Sequence, residues 1–162
     1  MGTFSKTFFP GVRLGWAAGP APVVDQMVVA KQNTDQCAGA LGQRLLEEYG
    51  RRGMLDEGLV TSRQLYRRRR DGMLDALGRH LPDGVTWVAP HGGFFVWLQL
   101  PEGSDSVALA ASAREHGIAF VPGVPFFPDG RGRDNIRLAY SRVDGEPLEQ
   151  GCRRLGELLA RR

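Results

Sequence analysis

Cysteine and lysine are both scarce, two of each. Cys37 and Cys152 stand far apart, with no Cys-x-x-Cys unit, so neither a disulfide framework nor a thiolate zinc site is supported. His80, His91 and His116 have no ligand spacing with one another or with the cysteines, and no metal is expected. No apolar run reaches transmembrane length and no charged, apolar, cleavable leader appears. No membrane partner is expected, and the cytoplasm is the expected compartment. Nor does one sign of charge prevail: 21 Lys+Arg against 18 Asp+Glu leave +3, too small and dispersed to imply nucleic acid.

Several motifs are missing as well. Neither Gly-x-Gly-x-x-Gly nor a Walker sequence occurs, which leaves dinucleotide and nucleotide sites unsupported. His91-Gly92-Gly93 resembles an esterase oxyanion tripeptide, but no Gly-x-Ser-x-Gly elbow accompanies it, and a tight turn explains it better. Arg67-Arg68-Arg69-Arg70 has no interleaved aromatics. A helix spreads four successive residues around its circumference, so a solvated helix face is expected there.

What is present is an ordered, mixed pattern. At 162 residues and 42% hydrophobic, the chain can bury roughly two-thirds of its unfolded surface. Val12 to Ala18 reads as a strand, Pro20 to Asn33 as a helix, and Ala38 to Tyr49 as another that stops at Gly50. Leu55 to Leu81 carries one long helical pattern or two abutting ones, ended by Pro82-Asp83-Gly84. Val85–Ala89 and Gly93–Leu100 predict a hairpin across Pro90-His91-Gly92-Gly93. Then come a helix over 107–116, strands over 118–121 and 135–141, and an amphipathic helix over 147–160. The expected division is a large-domain segment at 1–53, a connecting helix at 54–83, and a self-contained α+β domain at 84–162. The first segment holds too few strands to close a sheet, so a truncated large domain is expected.

Lys6 is one of two lysines, and its neighbourhood is the most chemically loaded stretch: Gly2-Thr3-Phe4-Ser5-Lys6-Thr7-Phe8-Phe9-Pro10-Gly11-Val12-Arg13-Leu14-Gly15. A lysine that attacks an aldehyde must lose its proton, which a nearby cation such as Arg13 assists. Thr3 and Ser5 offer hydroxyl donors for phosphate oxygens, and Arg13 offers a charge-assisted, bidentate contact. Pro10-Gly11 suits a turn that returns Arg13 toward Lys6. An aldehyde at one end and a phosphate at the other describe pyridoxal 5′-phosphate.

These residues resemble the lysine motif Ser-Lys-x-x-x-Pro-Gly-x-Arg-x-Gly of fold-type I, class I/II pyridoxal-phosphate aminotransferases. The branch with 2-aminoadipate and kynurenine aminotransferases, and with the aminotransferase-like domains of MocR regulators, is the most similar. Downstream, Gly92-Gly93-Phe94-Phe95-Val96-Trp97, Pro122-Gly123-Val124-Pro125-Phe126 and Asn135-Ile136-Arg137-Leu138-Ala139-Tyr140-Ser141 resemble further family segments.

The resemblance implies an α/β fold, the C-terminal part of a PLP-dependent transferase. By position it makes Lys6 the Schiff-base lysine, places Thr3, Ser5 and Arg13 on the cofactor phosphate, and gives Arg137 the substrate α-carboxylate. It implies an aminotransferase acting on an amino acid and a 2-oxo acid, as a homodimer when intact. More than half of such a protein would lie upstream of the lysine, so this chain alone is expected to be inactive. The alternatives are another PLP-dependent lyase, or a non-catalytic, effector-sensing fragment of a MocR-type regulator.

Overall fold

The computed structural model describes residues 1–161. These divide into two compact units, one comprising Met1–Arg63 and the other running from Gln64 onward. No described helix is long and apolar enough to cross a membrane.

In the first unit β1 (Gly2–Thr3) pairs antiparallel with β2 (Gly15–Trp16). Gly2 lets the Trp16 indole lie against β1, since a Cβ would meet that ring at 2.6 Å. The strand expected over 12–18 is reduced to two residues. Pro10–Val12 form a 3-10 turn, and Arg13, which caps it, adopts φ 54° and ψ 45°. That left-handed conformation cannot join a ladder, so pairing begins only past Leu14. Helices α1 (Ala21–Thr34) and α2 (Ala40–Arg51) follow. The second of them runs through Gly50 instead of stopping there, and Gly53, φ 75°, lies between it and the next helix.

Neither α1 nor α2 buries a residue; Leu14 is the buried hydrophobic residue of this unit. Val23, Met27, Val28, Leu41 and Leu45 are exposed. The side chains of Phe8, Phe9 and Tyr49 form a small aromatic cluster, with ring centroids 4.6 to 6.4 Å apart.

One continuous helix, α3 (Met54–His80, 27 residues), carries the boundary between the units. Its buried residues Met73, Ala76 and Leu77 belong to the second unit. That unit is built on a four-stranded antiparallel sheet of β3 (Thr86–Trp87), β4 (Phe95–Gln99), β5 (Val121–Pro122) and β6 (Asn135–Ala139). The strand order is β3-β4-β6-β5, so the expected hairpin forms as β3-β4.

Alternation along β4 and β6 sends Val96, Leu98, Ile136 and Leu138 into the core and turns Phe95, Trp97 and Arg137 to the other face. The core is completed by α3, by Leu109 and Ala113 of α4 (Ser106–Glu115), and by Leu148, Cys152, Leu155 and Leu158 of α5 (Gly145–Ala160). Asp105 caps α4, accepting hydrogen bonds from the Val107 and Ala108 amides. The Ala108 bond, together with the Val107 amide and Arg133, holds the Asp105 carboxyl below its ordinary range. Cys152 lines an apolar pocket of about 110 Å³ with Met73, Ile118 and Leu138, and burial pushes its thiol up to about 11.

The arginine run behaves differently from the solvated face expected of it. Arg67 and Arg68 are exposed, whereas Arg69 donates to the Ser141 carbonyl and pairs with Asp144, and Arg70 donates to the Pro90 carbonyl. A long stem on a helix can reach loop carbonyls that helical periodicity alone does not reveal.

Candidate functional site

In the first unit the chain from β1 to β2 folds the expected residues onto one another. The Thr3 hydroxyl lies 3.0 Å from Ser5 Oγ and also accepts the Ser5 amide at 3.1 Å. Arg13 Nη1 reaches Ser5 Oγ at 3.4 Å and the Pro10 carbonyl at 3.1 Å. The Pro10–Val12 turn thus returns Arg13 to Ser5, eight positions earlier.

Two features make this group a candidate anion cradle. Ser5 Oγ accepts from both Thr3 and Arg13, so its own O–H proton is left to donate outward. Arg13, a non-glycine residue, is kept at a positive φ, a conformation that costs about 1–2 kcal/mol. Backbone strain of that size, at a position where glycine would be relaxed, points to a task for the side chain. Lys6 follows Ser5 directly and is exposed. Two hydroxyls and a guanidinium beside a lysine fit the phosphate and aldehyde ends of pyridoxal 5′-phosphate.

In the second unit Arg137 sits on β6 opposite Trp97 of β4 and Val121 of β5. Its guanidinium carbon lies 4.0 Å from the Phe95 ring centroid and 4.6 Å from that of Phe126. Trp97 stands edge-on to Phe126 with centroids 5.3 Å apart. Among the described residues the arginine ion pairs of this unit involve Arg69, Arg70, Arg79, Arg131, Arg133 and Arg153, not Arg137. Arg137 Nε is buried and has no hydrogen-bond partner among the described residues. A buried N–H with no acceptor is costly, and a carboxylate supplies two acceptors in the plane the guanidinium offers.

The loop that delivers Phe126 is held by close backbone approach. A Cβ on Gly123 would meet Asn135 Cβ and the Gly132 carbonyl, each at 2.5 Å. The 3-10 turn Val124–Phe126 starts from that fixed point. Sequence reasoning named Phe95 and Phe126 within motifs but gave them no role. Strand alternation was the available signal for Phe95, which is two residues from Trp97 and therefore on the same face. Among the described residues no group of three or more His, Cys, Asp or Glu is placed to hold a metal ion.

The profile of the family "Aminotransferase class I and II" matches residues 1–155. The chain is 40% identical over 159 residues to a 2-aminoadipate transaminase of Thermus thermophilus, covering 98% of this chain and 40% of that protein. It is 38% identical over 159 residues to aromatic-amino-acid aminotransferase 1 of Thermococcus litoralis, covering 98% of this chain and 38% of that protein. An uncharacterized HTH-type transcriptional regulator of Bacillus subtilis, YisV, is 33% identical over 99% of this chain and 33% of its own length.

Among solved structures, a multiple substrate aminotransferase from Thermococcus profundus superimposes with TM-score 0.94 at 39% identity, covering 98% of this chain and 40% of that one. The α-aminoadipate aminotransferase LysN of Thermus thermophilus, complexed with N-(5′-phosphopyridoxyl)-L-leucine, gives TM-score 0.92 at 39% identity over the same shares. The chain spans about two-fifths of the length of these aminotransferases.

Proposed function

Because the chain belongs to the class I and II aminotransferase family, we propose that it is the C-terminal part of a PLP-dependent enzyme that moves an amino group from an amino acid to a 2-oxo acid. The observation that carries this reading is the convergence of Thr3, Ser5 and Arg13 beside Lys6. We assign 1–53 to the end of a large cofactor-binding domain, 54–83 to a connecting helix and 84–162 to the small domain. The intact enzyme is read as a homodimer. Two free cysteines, one of them exposed, fit a reducing compartment such as the cytoplasm.

When bound, pyridoxal 5′-phosphate supplies an electron sink for the pair released at the substrate Cα. The chain's own residues supply the rest. Ser5 and Arg13 would hold the phosphate by charge-assisted hydrogen bonds, with Thr3 fixing Ser5. Lys6 would hold the aldehyde end and would take and return the Cα proton at Nζ. Arg137 clamps the α-carboxylate through its unpaired edge, and this sets the direction in which the Cα–H bond points.

The test is to incubate the intact protein with pyridoxal 5′-phosphate, a panel of amino acids and a 2-oxo acid acceptor, and to follow 2-oxo acid formation. Turnover that disappears in Lys6→Ala is expected, and none from the 162-residue chain alone. Robust turnover by that chain alone would contradict the reading of it as an incomplete enzyme. Elimination or decarboxylation products would instead assign a lyase. A second reading is favoured by the likeness to the Bacillus subtilis regulator: a sensing domain that binds cofactor or amino acid without turnover. A winged-helix segment encoded upstream would select it.

A further inference from the structure

Among the described residues Arg137 has no carboxylate in contact to aim its guanidinium. Its guanidinium is instead flanked by Phe95 and Phe126, at 4.0 and 4.6 Å from Cζ to the ring centroids. Both rings are partly open to solvent, 41% and 42% exposed, so the core does not account for their placement. Phe95 arrives by strand register, diagonal to Arg137 across the β4-β6 ladder. Phe126 arrives from a loop fixed at Gly123 and braced edge-on by Trp97.

We propose that Phe95 and Phe126 are positioning residues for Arg137, an aromatic clamp that replaces the missing counter-charge and presents the guanidinium to a substrate carboxylate. The inference rests on the reading of Arg137 as the carboxylate site and adds to it. Aromatic faces attract a cation without neutralising it. A carboxylate on the protein would aim the guanidinium equally well, but it would occupy the N–H edge and compete with the ligand. With rings in that role the edge stays vacant, and Nε is buried with nothing to bond.

The experiment uses the full chain labelled with 15N, with propionate as the probe. Two resonances are read, the Arg137 Nε–H and the indole N–H of its cross-strand neighbour Trp97. In the unaltered chain both should move on titration. Phe95→Leu and Phe126→Leu should each weaken propionate by about tenfold, while melting as the unaltered chain does. Phe95→Tyr and Phe126→Tyr should restore binding, since the ring and not its packing volume is required. Leucine variants that titrate like the unaltered chain would overturn the clamp and leave the Arg137 reading standing. An Arg137→Gln chain whose Trp97 signal still follows propionate would overturn the carboxylate reading itself, and the clamp with it.

Discussion

Gly156 of α5 faces the carbonyl of His80, the last residue of α3, so closely that a Cβ would overlap it. The contact sets how near the final helix lies to the end of the long one. Gly151, five residues earlier in α5, has no atom beyond its own stretch of helix within 4 Å of its ideal Cβ. Gly156→Ala should therefore destabilise the second unit by about 1–3 kcal/mol through overpacking, whereas Gly151→Ala should stabilise it by roughly 0.5–1 kcal/mol. Chemical denaturation of the two variants side by side checks this; equal effects would remove the close approach as the cause.

Stability should fall in acid through Glu149. Its carboxyl is lowered from 4.5 to about 2, first by the Arg79 hydrogen bond and then by His80, at 2.5 and 2.6 Å. A carboxylate with a depressed folded-state value stabilises above its unfolded value and loses that contribution as pH drops toward the folded one. Urea midpoints of the unaltered chain should thus decline between about pH 4.5 and 2, and Glu149→Gln should flatten the decline. An unchanged slope in that variant would place the acid sensitivity elsewhere.

Arg13 should matter for cofactor affinity separately from Lys6. In the intact protein Arg13→Ala is expected to weaken pyridoxal 5′-phosphate by ~1.5–3 kcal/mol, the size of a charge-assisted contact. Lys6→Ala should abolish borohydride-fixed attachment, measured by mass spectrometry, and Arg137→Ala should leave attachment intact. A cofactor titration unaltered by Arg13→Ala would remove that residue from the phosphate site.

Limited proteolysis should distinguish the two units. Helices α1 and α2 bury nothing, while the second unit closes a core from Met73 to Leu158. Few buried apolar contacts mean low local stability. Trypsin should cut within the first 63 residues and spare a fragment that retains β4, β6 and α5. Survival of the first unit while the second is degraded would contradict this.

The long-range pattern was legible in the sequence because it follows from periodicity. The 27-residue helix, the β3-β4 hairpin and the α5 core face all rest on spacings of apolar residues that burial then uses. The cradle was legible through residue types, since hydroxyls, an arginine and a Pro-Gly turn state their own chemistry. The conformation of Arg13 was not, because a left-handed φ at a non-glycine residue is imposed by closure of the turn and not by propensity. The clamp on Arg137 was hidden for another reason. It depends on strand register and on where a loop is pinned, and both are settled by tertiary contacts.

The two thiols give the molecule an internal clock. Cys37 is exposed in the first unit, and Cys152 lies buried beneath the sheet of the second. A thiol-specific reagent should modify the first at once and the second only as fast as the core opens, because a buried thiol at about 11 offers almost no thiolate to solution. The slow phase of one labelling trace is then a direct reading of how often the second unit opens.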